Sequence, residues 1–243
     1  MKITYQQQNQ VNGNKFMRKP NLKRKGFTLI ELLVVIAIIG ILMGMVGPKV
    51  FDLLTGSKVK KTQSIFRSWV TQLYQYKEHY KYFPPFLLEE DEGVPIVLSE
   101  DESHESFVIA LKGMKWDPNA MEWQPLEQGS ELRDQNRKAR EFHSFSEDEF
   151  GSEGYLADSW GGRKINVVVD QDGDGIIKLE TAAVDKIVSA LKEEYDSEIV
   201  DAAKEKISVI REKVGIYVLY DGTGETESEN AFSWDIAKYL DEE

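Results

Sequence analysis

Three aspartates, Asp170, Asp172 and Asp174, have the residue type and the spacing of ligands for a hard cation. Each is separated from the next by one residue, and Gly175 follows the third. Oxygen ligands alternate in this way in the first half of a twelve-residue calcium-binding loop, where a glycine allows a sharp turn. The run could therefore supply three carboxylates to a calcium ion, with the backbone carbonyl of Ile176 as a further ligand.

The second half of that loop departs from the calcium-binding pattern. Position twelve is Thr181, Glu180 comes one residue early, and Lys178 adds a positive charge. Because calcium takes six to eight oxygen ligands, a site here would have to borrow oxygens, for example from Asp158 or Glu180. The alternative is a hairpin turn without a metal, since Asp and Gly are favoured in turns for their backbone geometry.

No arrangement of residues in the sequence predicts an enzyme. The three histidines, His79, His104 and His143, are scattered without metal-ligand spacing, and there is no cysteine for a disulfide or a thiol nucleophile. The sequence contains no HExxH motif, nucleophile elbow, P-loop or GxGxxG fingerprint. We therefore expect a protein without catalytic residues.

The charge of the chain is strongly acidic, with 30 basic and 42 acidic residues and a net charge of -12. Seven basic residues and no acidic ones lie in residues 1–26, so the rest of the chain has a net charge of -19. Nucleic-acid phosphates are bound by clustered Lys and Arg, which argues against a nucleic-acid partner. An acidic surface agrees with calcium binding and equally with simple solvation.

The stretch from Lys23 to Pro48 combines a basic cluster with an apolar run in which Glu31 is the only charged residue. As a helix, the 22 residues 27–48 would be about 33 Å long, which matches the hydrocarbon core of a bilayer. A carboxylate in such a run costs up to about 3 kcal/mol, and no cation of the same helix lies near it. The run therefore predicts a membrane anchor whose Glu31 finds its partner in another chain.

The residues Gly26-Phe-Thr-Leu-Ile-Glu31 resemble the prepilin processing site of type IV pilins and of type II secretion pseudopilins. The resemblance implies that a membrane peptidase cuts after Gly26 and methylates the new amino terminus at Phe27. It also implies that Glu31 faces the amine of a neighbouring subunit during assembly. Pro48 stands where the family has a helix-kinking proline.

One long helix, about 27 to 80, is predicted to follow the leader. Apolar residues recur on its second half at three- and four-residue spacing: Ile65, Trp69, Leu73 and Tyr76. Pro84 and Pro85 end it, because a proline disfavours helical geometry in the residue before it. The predicted divisions are a cleaved leader (1–26, or a shorter one if the chain starts at Met17), an anchoring and assembly half of the helix (27–50), an amphipathic half (51–83) and a globular head (84–243).

The head is predicted to combine a small sheet with helices. The expected elements are a helix (103–111), an ordered loop (116–129), strands (139–146, 164–170, 176–179 and 214–220) and a helical insertion (180–212). The strands at 164–170 and 176–179 form a hairpin in this prediction. The insertion is expected as one or two helices because it contains no Pro or Gly, and Phe142 and Phe145 are candidate core residues.

Two segments of the head resemble the major pseudopilin. Leu156–Gly162 is similar to the Asp-Pro-Trp-Gly segment that opens its sheet, with Ser159 in place of the proline, and Phe232–Asp235 is similar to its carboxy-terminal end. The resemblance implies an α+β, pilin-like fold in which the long helix lies across three or four antiparallel strands. It also implies a second possible calcium site in the carboxy-terminal loop. The candidate ligands there are Asp221, Glu225, Glu229 and Asp235.

The resemblance implies a structural subunit of a type II secretion system, processed by prepilin peptidase and assembled through its helix into a periplasmic pseudopilus. Its partners would be the peptidase, other pilin-like subunits, the inner-membrane assembly platform and membrane lipid. The expected location is the inner membrane, crossed once, with the head in the periplasm or outside the cell. Two alternatives stay open: a pilin of a type IV pilus or DNA-uptake machine, and a solitary membrane-anchored calcium-binding module.

Overall fold

The computed structural model describes residues 27–99, 101–127, 129–220 and 228–240, without the side chains of 45–53 and 101. The chain divides into two compact units, Met1–Pro48 and Lys49–Glu243. Helix α1 (Leu29–Tyr80) has 52 residues, so the predicted helix over about 27 to 80 is confirmed. Among the described residues, no helix combines the length and the apolar character that a membrane span requires.

In the second unit, α1 buries most of the apolar stripe that its periodicity predicts. Trp69, Leu73 and Tyr76 of the predicted stripe are completely buried. Phe66 is completely buried beside them, whereas the predicted Ile65 is only partly buried. Burying a large apolar side chain contributes about 1.5–3 kcal/mol, so this stripe holds the helix firmly to the second unit. The helix ends where Lys81 adopts a left-handed conformation with φ 74°, three residues before Pro84.

In the described part of the chain, five shorter α-helices follow α1: α2 (Asp101–Lys112), α3 (Thr181–Leu191), α4 (Ser197–Ala202), α5 (Lys204–Ile207) and α6 (Ala237–Leu240). The strands are β1 (Ile96–Val97), β2 (Lys115–Asp117), β3 (Glu122–Gln124), β4 (Asn166–Val169), β5 (Ile177–Lys178), β6 (Val209–Ile210), β7 (Val214–Val218) and β8 (Ala231–Phe232). Helix α2 confirms the helix predicted at 103–111, with Phe107, Val108 and Leu111 fully buried. The architecture is α+β, a long amino-terminal helix followed by a small antiparallel sheet and further helices.

The central sheet is antiparallel, with strand order β1-β4-β7-β8. Val167 and Val169 pack in one buried cluster with residues of α1 and α2, whereas Val168 packs in a second cluster with residues of α3, α4 and α5. Because successive strand residues point to opposite faces, the sheet is covered by helices on both sides. This explains why β4 is apolar without alternation.

The predicted hairpin between 164–170 and 176–179 is wrong in its pairing. Strand β4 pairs with β1 on one side and with β7 on the other, so neither of its edges is free for β5. Strand β5 pairs with β6 instead, which brings Ile177 opposite Ile210. The turn between the two predicted strands therefore leads the chain out of the central sheet.

The predicted insertion of one or two helices over 180–212 is corrected to three short helices and a strand. Helix α3 ends at Leu191, and the Asp196 side chain accepts a hydrogen bond from the Glu198 amide at 2.8 Å, which starts α4. An Asp in this position satisfies an amide that the helix itself leaves unpaired. Residues after Ile207 leave the helical conformation because β6 pairs with β5.

The predicted strand over 139–146 is absent from the described structure. The backbone of this segment is bound by other groups: the buried Asn136 amide donates to the Arg140 carbonyl at 2.7 Å, and the Phe142 amide donates to the Leu111 carbonyl at 2.8 Å. Phe145 is buried and Phe142 packs at the edge of the same core, as predicted. The ordered loop predicted over 116–129 contains the short hairpin of β2 and β3 instead.

Candidate functional site

Residues 170–175 form a turn that we call the acidic turn. Its three aspartates, Asp170, Asp172 and Asp174, lie close together, with one ligand oxygen of each within 4.8 Å of the others. Asp170 is buried, and its two carboxylate oxygens accept hydrogen bonds from the amides of Gly173 (2.7 Å) and Gly175 (3.0 Å). Asp172 and Asp174 are exposed and accept hydrogen bonds from the amides two residues further on. The aspartate side chains therefore stabilise the turn by accepting hydrogen bonds from its backbone amides.

Lys178 lies on the exposed side of this turn. Its Nζ is 3.0 Å from Oδ2 of Asp174 and 3.8 Å from Oδ2 of Asp172. The hydrogen bond from Lys178 lowers the pKa of Asp174, and the same contact raises the pKa of Lys178. The single ammonium group therefore offsets one of the two negative charges of Asp172 and Asp174, and it would compete with a calcium ion for their oxygens.

The other ligands considered for this turn do not join it. Asp158 is buried in a turn of its own, where it accepts hydrogen bonds from the amides of Trp160 and Gly162 and from the hydroxyl of Ser228 at 2.6 Å. Glu180 is exposed beside the start of α3. Among the described residues, the group contains three carboxylates and no fourth, so the donor set fits a calcium ion only in part.

The second possible calcium site lies largely outside the described residues. Asp221 and Glu225 belong to the segment 221–227, which the structure does not describe. Glu229 is half-buried, and Asp235 is exposed with Lys238 at 3.5 Å. No described group of three ligating side chains includes Glu229 or Asp235, so this site stays a prediction.

Glu31 belongs to a capping box at the start of α1. Its carboxylate accepts hydrogen bonds from the Thr28 amide at 2.7 Å and the Thr28 hydroxyl at 2.9 Å, while the Thr28 hydroxyl accepts one from the Glu31 amide at 3.2 Å. Such reciprocal bonds satisfy amides that a helix start leaves unpaired. The carboxylate therefore has a neutral partner in its own chain. Gly26 lies outside the described residues, and Pro48 lies within α1 without a described side chain.

The first unit exposes an apolar surface. Its large apolar side chains from Phe27 to Met43 are each at least 45% exposed, and Phe27 is 84% exposed. A Cβ added at Gly40 or Gly44 would have no described atom within 4 Å, apart from the adjacent residues and the backbone of the same helix. An apolar surface of this extent is typical of a segment that protein or lipid covers.

A buried carboxylate network in the second unit was missed in the sequence. Glu149 accepts hydrogen bonds from the indole of Trp69 (2.5 Å), the ring of His143 (2.7 Å) and the amide of Ser146 (2.9 Å). The signal that could have located it is the spacing of Ser146 and Glu149, which form a capping box. His143 is thus a structural partner of a carboxylate.

Comparison with known proteins identifies the amino-terminal segment. Residues 21–47 match the family model of the prokaryotic N-terminal methylation motif. Neither a curated protein nor a solved structure matches the chain significantly. The motif contains the predicted cleavage site at Gly26, the exposed Phe27 and the capped Glu31. This protein therefore carries the amino-terminal signal of a type IV pilin-like prepilin, a substrate of prepilin peptidase, in front of an α+β unit.

Proposed function

We propose that the protein is a structural pseudopilin of a type II secretion system. The observation that carries this proposal is the methylation motif over residues 21–47. The motif continues into α1, where the large apolar side chains are exposed and Glu31 lies in the first turn. The motif implies removal of the leader, anchoring through the amino-terminal helix and assembly with other pilin-like subunits. In the proposed arrangement the helix crosses the inner membrane once and the second unit lies in the periplasm.

The type II assignment within the pilin-like proteins rests on the second unit. Its Asp158-Ser-Trp-Gly161 turn and its Phe232–Asp235 segment resemble the major pseudopilin. A pilin of a type IV pilus or DNA-uptake machine is the alternative with the same amino-terminal signal. Co-purification with pseudopilins and a secretion ATPase would support the type II role, whereas co-purification with pilus or DNA-uptake subunits would favour the alternative.

The first prediction concerns processing. The mature chain should begin at Phe27 with a methylated amine, because Gly26 places no side chain on the amino-terminal side of the scissile bond. Mass spectrometry of the membrane-extracted protein measures the new terminus directly. Replacement of Gly26 by Val should leave the leader attached, whereas Gly40→Ala serves as a control that should be processed normally. An intact leader in the unmodified chain would refute the prepilin assignment.

The second prediction concerns calcium, which we propose as a ligand of the acidic turn. At a calcium concentration one hundred times the Kd, binding should stabilise the protein by about 2.7 kcal/mol. The melting temperature of the detergent-extracted chain should rise with calcium, and the rise should disappear in Asp172→Ala/Asp174→Ala. Lys178→Met should bind calcium more tightly, because the ion no longer competes with the ammonium group. Glu229→Ala should leave the rise unchanged.

If the melting temperature of the unmodified chain does not change with calcium, the acidic turn binds no calcium and Lys178 is the partner of its carboxylates instead. If the response survives in Asp172→Ala/Asp174→Ala and is lost in Glu229→Ala, the carboxy-terminal loop is the site instead.

A further inference from the structure

A basic groove lies between the last turns of α1 and the segment before β7. Its volume is about 590 Å³. The residues that line it are Tyr74, Lys77, Glu78, Lys81, Gly175, Arg211, Glu212 and Lys213. All of them belong to the second unit. The groove is assembled from distant parts of the sequence, so no local pattern could have revealed it.

The charges of this groove oppose those of the unit around it. Four cations and two carboxylates line the groove, whereas residues 49–243 contain 23 basic and 41 acidic residues. Within the described part of the chain, no salt bridge is found for Lys77, Lys81, Arg211 or Lys213. The second unit contains nearly two acidic residues for each basic one. Four cations that lie together without a described salt bridge are therefore unexpected in it.

Local structure explains only part of this arrangement. Lys77 and Lys81 lie at the carboxy-terminal end of α1, where the helix dipole favours positive charge, and the Lys77 Nζ also lies 4.2 Å from the Phe83 ring. Arg211 and Lys213 are exposed and have neither of these contacts. The exposed positive charges of the groove therefore favour the binding of an acidic ligand.

The same unit presents an exposed acidic run. Glu89, Glu90, Asp91 and Glu92 are consecutive and all exposed. The run is held in place at both ends: the Gln171 amide donates to the Glu90 carbonyl at 3.1 Å, and Gly93, at φ +81°, accepts a hydrogen bond from the Glu180 amide at 3.0 Å. A Cβ on residue 93 would lie 1.8 Å from the Lys178 carbonyl oxygen, so glycine is required for this close approach.

We propose that the basic groove of one copy receives the acidic run Glu89–Glu92 of a second copy of this chain. Two units with a net charge of -18 each, from 23 basic and 41 acidic residues, repel one another. A local contact between patches of opposite sign offsets this repulsion and fixes the orientation of the two copies. Because groove and run are different surfaces, the contact is heterologous and leaves one free groove and one free run for further copies. The inference rests on the proposed function in that it requires copies to lie side by side.

The absence of cysteine from the sequence makes this contact directly testable. A full-length copy with Lys81→Cys and a differently tagged full-length copy with Asp91→Cys are co-expressed, and the membranes are treated with a mild oxidant. We expect a disulfide-linked heterodimer that contains both tags. The matched control pairs Lys81→Cys with Glu198→Cys, another exposed acidic position, on α4, and should give only background dimer.

A second measurement does not depend on cysteine. Asp91→Lys should lower the yield of chemically cross-linked dimers about two- to fivefold, the effect of one exposed charge pair, and Lys81→Glu in the co-expressed copy should restore it. Equal heterodimer yields in the test and control pairs, or no restoration by the second reversal, would overturn the inference. Mass spectrometry of Phe27 in the same membranes distinguishes the two proposals: a processed chain without the cross-link refutes only the contact, and an unprocessed chain refutes the proposed function.

Discussion

Glu31→Gln should be processed and retained in the membrane, yet its yield of cross-linked oligomers should fall at least about tenfold, since truncating one partner of a buried charge pair costs about 2–5 kcal/mol. The glutamine oxygen can still accept the hydrogen bond that the Thr28 amide gives to Glu31 at 2.7 Å. The helix start is therefore preserved while the charge is removed. Under the proposed function, the lost interaction is the one with the methylated amine of a neighbouring subunit.

Thr28→Val is the matched control for this prediction. It removes the hydroxyl that lies 2.9 Å from the Glu31 carboxylate and keeps the charge. If the charge drives assembly, Thr28→Val should form oligomers almost normally. If Thr28→Val fails as Glu31→Gln does, assembly also requires the cap at the helix start, and the charge of Glu31 alone does not explain it. Oligomers from Glu31→Gln at the level of the unmodified chain would remove Glu31 from the assembly mechanism.

The amino-terminal segment could be predicted from the sequence because its signals are local. A glycine, an apolar run and one carboxylate within it lie in one continuous stretch, and the match over residues 21–47 confirms the prepilin signal. The helix that follows could be predicted for the same reason, since the periodicity of Trp69, Leu73 and Tyr76 identifies its buried face. The capping of Glu31 by Thr28 was missed, although a Thr three residues before a Glu is a readable signal.

The pairing of the strands could not be predicted because it depends on distant partners. The sequence locates β4, β5 and β7 within a few residues, but whether β5 joins β4 is decided by β1 and β7, which occupy both edges of β4. The β-strand predicted at 139–146 failed in a similar way, since its backbone partner is the Asn136 side chain. The basic groove joins residues 77–81 to residues 211–213, a proximity that only the folded chain creates.

Glu149→Ala should destabilise the second unit by about 3–5 kcal/mol, because at least two hydrogen bonds to a buried carboxylate are lost and each contributes about 1.5–3 kcal/mol. Glu149 is 6% exposed, and its loss leaves the completely buried indole N–H of Trp69 without an acceptor. That hydrogen bond joins α1 to a turn eighty residues away. Thermal unfolding of the detergent-extracted chain should show a decrease of roughly 10 °C, from about 2–4 °C per kcal/mol for a unit of this size.

Glu147→Ala is the matched control, because Glu147 lies in the same turn and is exposed. Surface substitutions of this kind usually change stability by less than about 0.5 kcal/mol. Glu149→Gln adds a second comparison, since its amide oxygen can accept from Trp69 and from His143, which share Oε2 of Glu149, but its NH₂ group cannot accept from the Ser146 amide. Its stability should lie between those of the unmodified chain and Glu149→Ala. Equal melting temperatures for Glu149→Ala and Glu147→Ala would show that the network contributes nothing.

The dependence of stability on pH follows from the same carboxylate. Burial raises the pKa of Glu149, but the hydrogen bonds from His143, Ser146 and Trp69 outweigh it, so the pKa is lowered overall. A group whose pKa is lower in the folded state stabilises the fold fully above its unfolded pKa, about 4.3 for Glu, and this contribution is lost as the pH falls through the folded pKa. The melting temperature of the unmodified chain should therefore fall more steeply below about pH 4.3 than that of Glu149→Gln, which has no proton to bind at this position. Parallel curves for the two chains would mean that Glu149 has the same pKa in the folded and unfolded states.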